Sequence, residues 1–172
     1  MNSACRGSES EVSALVPDYS RENKLWFEWD PPRSLLASIR SYQRRAETKS
    51  LVGLIFQKID VVRHRFWSVV TGADIPLNCK IGGGLLVPHP NGIVIHPSAV
   101  IGVNCLVLQQ VTIGVRNGGV PIIGGHVDIG AGAKILGKII IGDHALIGAN
   151  AVVLIDVPAR ETAIGVPAVL TN

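Results

Sequence analysis

The sequence predicts a mainly β chain: a parallel β-helix of six-residue repeats behind a short N-terminal α-helical segment. Three observations carry that expectation. An Ile or Val recurs at every sixth position between Ile75 and Val153, with two interruptions. Glycine directly follows many of these positions, and a small or β-branched residue stands four places after them. The chain is 47% hydrophobic but only 5% aromatic, so its apolar mass is aliphatic, and 19 glycines accompany it.

The repeat can be written out. Ile75, Ile81 and Val87 come first; after a slip of two residues come Ile95, Ile101, Val107 and Ile113; after a second interruption Ile123, Ile129, Ile135, Ile141, Ile147 and Val153. Neither a helical period nor plain alternation produces a period of six. One flat side per repeat does, with three repeats closing a triangular turn. The recurrent Ile or Val points inward and stacks on its equivalent one turn away. Each such burial contributes roughly 1.5–3 kcal/mol. Small residues such as Cys79, Ala99, Cys105, Ala133, Ala145 and Ala151 suit the tight corners, so the cysteines among them read as packing groups.

Residues 1–20 are polar and aperiodic, and a flexible N-terminus is expected there. Residues 21–72 form the helical segment. "DPPRSLLASIRSYQRRAE" opens with prolines tolerated in a first helical turn and sets Leu35, Leu36, Ile39 and Tyr42 on one face. "KSLVGLIFQKIDVVRHRFWSVVTG" places Leu51, Leu54, Ile55, Ile59, Val62, Phe66 and Val69 on one face and ends at Gly72. The aromatics Trp26, Phe27, Trp29, Tyr42, Phe56, Phe66 and Trp67 are expected to cap the open end of the coil or to touch another subunit. Residues 73–172 are the β-helix domain.

Several function classes are disfavoured. Three cysteines without paired or C-x-x-C spacing speak against a disulfide framework or a zinc ribbon and suit a reducing cytoplasm. The N-terminus lacks the pattern of a secretory signal, and no run of about 18 apolar residues suggests a membrane span. Residues 1–80 carry 12 of the 16 Lys and Arg against 9 of the 13 acids, which reads as solvated helix faces and not as a nucleic-acid surface.

The first slip, "LLVPHPNGIVIHPSAV", surrounds His89 with Pro88 and Pro90. A coil interior has no room for an imidazole, so the extra residues read as a bulge that lifts His89 off the wall. Histidine titrates near neutrality and is the natural base for deprotonating an alcohol. Asp74, fifteen residues earlier, is close to one turn away and can orient such a histidine. The second interruption, "VRNGGVPI", reads as an extruded loop.

Residues 70–168 resemble the hexapeptide acyltransferases, and specifically their serine acetyltransferase branch, through "GADIP", "PHPNGIVIHPSAVIG", "LQQVTIG" and "IGAGAKILG" in order. The resemblance implies a left-handed β-helix, a homotrimer that can pair into a hexamer, and acetyl-CoA in the groove between neighbouring subunits. It implies O-acetylation of serine, with His89 as the base and Asp74 as its dyad partner. It implies Gly114, Ala131 and Ala149 as acetyl-CoA contacts, and no metal. Lys134 is a further candidate for a CoA phosphate.

The chain departs from that branch in two places. An "R-H-P" run in the family's longer loop is replaced here by Gly119, Val120 and Pro121, and the acid before the histidine by Pro88. Arg116 and His126 are weaker candidates to compensate. These changes keep open an O-acetyltransferase acting on a sugar, a polysaccharide or another small alcohol, and beyond that a non-catalytic scaffold. The γ-type carbonic anhydrases share the coil, but their H-x4-H zinc spacing is absent: the histidines from His89 onward lie seven, thirty and eighteen residues apart. The tail by which family members dock a sulfhydrylase is not matched after "GVPA", so that complex is not expected.

Overall fold

The computed structural model describes residues 12–25, 27–48 and 51–171. Trp26, Cys5 and the first eleven residues of the expected flexible terminus lie outside them. Two helices come first, α1 (Pro31–Thr48) and α2 (Leu51–Thr71). Thirteen short strands follow among the described residues: β1 (Lys80–Ile81), β2 (Val94–Ile95), β3 (Val100–Ile101), β4 (Leu106–Val107), β5 (Thr112–Gly114), β6 (Ile122–Ile123), β7 (Asp128–Ile129), β8 (Lys134–Leu136), β9 (Ile140–Ile141), β10 (Leu146–Ile147), β11 (Val152–Val153), β12 (Thr162–Ile164) and β13 (Val169–Thr171).

The strands form three sheets, ordered β1-β3-β6-β9, β4-β7-β10-β12-β13 and β2-β5-β8-β11. Every pairing is parallel except the β12–β13 hairpin that ends the coil. The chain visits the sheets in rotation, which is the triangular parallel β-helix expected. All thirteen recurrent Ile and Val side chains are buried, as are Cys79, Ala99, Cys105, Val111, Ala133, Ala145 and Ala151.

Register locates each irregularity. An undisturbed turn advances 18 residues, as from Val94 to Thr112 and from Ile122 to Ile140. Asp74 pairs with Val94 and Leu86 with Leu106, so the first turn carries two extra residues at the His89 bulge. Val100 pairs with Ile122 and Thr112 with Lys134, which assigns four extra residues to the loop after β5. A third irregularity was not foreseen. Ile141 pairs with Val157 and Leu146 with Thr162, two residues short of a full turn. There the Asp156 carboxylate accepts from the Ile140 N–H at 2.8 Å across the shortened corner.

The helices close the coil's first turn, whose outermost carbonyls have no strand beyond them. Gln43 of α1 donates to the carbonyls of Leu77 and Cys79, Arg40 to those of Ile81 and Gly82, and His64 of α2 to that of Ile75. Leaving one such buried group unpaired costs about 1–3 kcal/mol. Asp30 caps α1 by accepting from the Arg33 N–H, and Leu35, Leu36 and Ile39 face the core as expected.

On the second helix the apolar face points outward: Leu54, Ile55, Ile59, Val62, Phe66 and Val69 are exposed, and the side chain of Leu51 lies outside the described residues. The inward face instead carries Asp60, paired with Arg45 at 2.9 Å, together with His64 and Thr71. The physical reason is that only this face bears groups that can satisfy the coil's end and the α1 arginine. Of the aromatics, Trp67 packs on the core and touches Trp29 and Phe66, whereas Phe27, Trp29, Phe56 and Phe66 are exposed.

From residue 12 the N-terminal segment runs along the corner between the first two sheets and is hydrogen-bonded to it. Asn104, buried and at φ +58°, accepts from the Asp18 N–H and donates to the carbonyls of Ser13 and Val16 at 2.7–2.8 Å. Aperiodic sequence can be ordered in this way when one buried side chain supplies its missing backbone partners. Replacing Asn104 by Ala is expected to cost about 1–3 kcal/mol. Limited trypsin digestion should then cut at Arg21 or Lys24 well before the coil yields.

Candidate active site

The bulge is built by its prolines and the turn that follows. Pro88 and Pro90 fix their own backbone torsions and remove two N–H donors, so this corner cannot continue the ladder of the sheets. Gly92, at φ +70°, then returns the chain to register, its N–H donating to the Gly72 carbonyl at 2.8 Å. Asn91 ties the bulge to the next turn: its carbonyl accepts from the Gln110 N–H at 2.9 Å, and its side-chain oxygen from Gln110 Nε2 at 2.8 Å. Lys134, one turn further on, donates to the Gln110 carbonyl. This Asn91–Gln110–Lys134 column went unnoticed in the sequence, where only the recurrence of polar residues at a corner hints at it.

His89 stands exposed at the tip of the bulge. Asp74 is also exposed, and it leads the bridge stacked beneath Val94, five residues past His89, so both lie along one edge of the prism. Among the described residues they form no hydrogen bond or ion pair with each other. The carboxylate of Asp74 is instead felt by Cys79.

Burial, and after it the Asp74 charge, pushes the Cys79 thiol up to about 12; burial holds Cys105 at about 11, against an ordinary 9.0. Both thiols therefore stay protonated in the folded chain at pH values where an unfolded one ionises. Their contribution to stability is complete below about pH 9 and is lost as pH rises through about 11 and about 12. Ellman's reagent at pH 8 should leave both unlabelled in the native protein and label them on unfolding.

Ala131 and Ala149 occupy the same corner as His89, one and two turns beyond Gln110. They are stacked, the Asn150 N–H donating to the Ala131 carbonyl at 2.8 Å. Among the described residues neither alanine's own backbone N–H takes part in a hydrogen bond, so two outward donors flanked by methyl groups line this corner. That suits the amide-bearing pantetheine arm of CoA, which needs close approach to backbone donors.

Gly114 does not join them. It ends β5, at the opposite edge of the third sheet, where an added Cβ would meet Leu136 Cδ2 at 3.1 Å. Arg116 lies beyond it in a two-residue hairpin, pairing with Gly119 through two 3.0 Å backbone bonds around Asn117 and Gly118. Its guanidinium is exposed. His126 belongs to neither group: it stands on the strapped corner at φ +50°, its Nδ1 2.9 Å from that of His144. The sequence placed His126 near the loop because only three residues intervene, but the end of β6 and a corner separate them. No three His, Cys, Asp or Glu side chains gather into a metal-binding group among the described residues.

The coil, with a histidine-bearing bulge and a corner of small residues, defines a hexapeptide-repeat protein. No family model matches the chain. A probable serine acetyltransferase 5 of Oryza sativa subsp. japonica is 54% identical over 103 residues, 58% of this chain and 30% of that protein. A soybean serine acetyltransferase complexed with serine is 35% identical with a TM-score of 0.62, covering 83% of this chain and 70% of that one. A serine acetyltransferase in complex with CoA is 35% identical with a TM-score of 0.70, covering 83% and 58%. The chain belongs to the serine acetyltransferase family. It spans about a third of the length of the curated relatives it matches.

Proposed function

We propose that the chain is an acetyl-CoA-dependent O-acetyltransferase that converts serine to O-acetylserine and CoA. The observation that carries the reading is the two-residue bulge holding His89 over the corner lined by Ala131 and Ala149. His89 takes the proton of the acceptor hydroxyl and later gives it to the departing thiolate, and Asp74, on the same edge, orients the imidazole. Ala131 and Ala149 hold the pantetheine arm through their free N–H groups; acetyl-CoA supplies the acetyl group. The likeness to a CoA-bound and a serine-bound family structure supports both substrates.

A second protomer completes the cleft in this reading. Gly114 and Arg116 sit at the far edge of the third sheet from His89 of their own coil, so in this reading a neighbour's copies face it. That supports a homotrimer. The outward apolar stripe of α2 supports further association into a hexamer. Among the described residues no helix is long and apolar enough to cross a membrane. The buried free thiols of Cys79 and Cys105 suit a reducing cytoplasm.

One observation favours a different acceptor: Gly119 and Val120 offer no side chain that grips a carboxylate. A panel that follows CoA release with serine, homoserine and sugars separates the two readings. Turnover with sugars alone would remove serine, and a calorimetric titration without acetyl-CoA binding would leave only a scaffold.

A further inference from the structure

A cavity of about 220 Å³ opens beside the bulge, with walls from Arg21, Asp30, Arg33, Leu36, Leu86 and Pro88. That space holds about seven waters, enough for a compact acceptor of a few carbon atoms. Its last wall residue, Pro88, is one peptide bond from His89. Its other side is the N-terminal turn of α1 and the 3-10 turn Tyr19–Glu22, parts of the chain outside the β-helix.

Its charges do not balance. Asp30 is engaged by Arg33, with Nη1 to Oδ2 at 3.3 Å. Glu22, the next acid, is held by Arg40 through both carboxylate oxygens and also accepts from the Leu85 N–H. Arg21 donates through Nη1 to the Asn104 carbonyl, and no carboxylate lies within ion-pair distance of it among the described residues. Arg33 spends Nε on the Arg21 carbonyl at 3.3 Å and keeps Nη2 unspent. Among the lining residues two guanidiniums stand against one carboxylate. Asp18, whose carboxyl is lowered by hydrogen bonds from Ser20 and in part by the Arg21 charge, lies outside the lining. The free donors form a planar fork, the geometry that matches an oxyanion group.

We propose that this cavity is the anion subsite of the acceptor: Arg21 and Arg33 bind the carboxylate of a small hydroxy acid and thereby bring its hydroxyl to His89. The inference rests on the acetyl-transfer reading above and deepens it. It moves selection of the carboxylate from the shortened loop, which has lost the groups for it, to the helical segment of the same chain.

The test compares CoA release by the full chain with L-serine, D-glycerate, glycerol 3-phosphate, L-serinamide and glycerol. The wild type is expected to favour serine over serinamide and glycerate over glycerol by ~10-fold or more. Arg33→Gln is expected to raise KM for serine by ~10–100-fold and bring the serine-to-serinamide ratio towards one, and Arg33→Lys to restore part of it. Arg21→Gln should act alike; if the loss of its bond to Asn104 unfolds the strap, Arg33→Gln carries the test. A ratio unchanged in Arg33→Gln, or a wild type that prefers the neutral acceptors, overturns the proposal while acetyl transfer stands. Preference for glycerol 3-phosphate over glycerate overturns the carboxylate assignment. If no acceptor releases CoA, the acetyl-transfer reading fails on its own, and calorimetry with serine and glycerate decides the subsite: binding lost in Arg33→Gln supports it, and no binding to the wild type ends it.

Discussion

Replacing His89 with alanine is expected to lower kcat for acetyl transfer by about 10²–10⁴ while acetyl-CoA still binds. The expected size follows from the role: a base aligned on the acceptor hydroxyl contributes in the transition state and not to the docking of the acyl donor. Binding should survive because the donors at Ala131 and Ala149 belong to the coil, two and three turns beyond the bulge. The bulge should survive too, since Pro88, Pro90 and the Asn91–Gln110 bonds hold it without the imidazole. Asp74→Asn should give a smaller loss of the same kind. Full turnover in the alanine variant, measured by CoA release and paired with a calorimetric titration, would remove His89 from the chemistry.

The second large effect concerns the coil itself. Gly102→Ala is expected to lower Tm by about 2–12 °C, from the 1–3 kcal/mol of an overpacked site and the 2–4 °C per kcal/mol of a chain this size. A Cβ on Gly102 would stand 2.4 Å from the carbonyl carbon and oxygen of Gly124 and 2.6 Å from the Gly125 nitrogen. These atoms are backbone, so no side-chain rotation relieves the clash and the two turns must separate. A Cβ on Gly82 would likewise stand 2.6 Å from the Gly102 carbonyl carbon, which makes the row of corner glycines a condition for turns to rest on one another. An unchanged Tm in calorimetry would mean that these turns are not in contact.

Legibility in the sequence varied by feature. The thirteen recurrent inward residues were readable, and so were the two insertions, because each displaces the aliphatic rhythm visibly; Leu85, Ile93, Val127, Ile139 and Val157 are buried off that rhythm and were not. The deficit before Val157 was not, since the apolar Ile155 that precedes it is exposed and nothing in hydropathy distinguishes the two. On α2 the apolar stripe was legible but its direction was not: a period reveals that a helix has two faces, not which one a neighbour needs. The contacts of residues 12–22 were hidden because their partners are distant in sequence: Asn104 for the first part, and Arg40 and Leu85 for Glu22.

The site divides along the same line. The spacing that marks His89 as lifted off the wall, and Asp74 as about a turn away, was present in the chain as written. Whether Gly114, Arg116 and His126 share a corner with them was not.

By itself the sequence determined the coil and its bulge, because a side chain stacking on its equivalent one turn away depends only on local spacing. The tertiary structure alone decided which corner each candidate occupies and which helix face meets the coil. Corner position accumulates every insertion along the chain, and a helix docks by the polar groups its neighbour must satisfy.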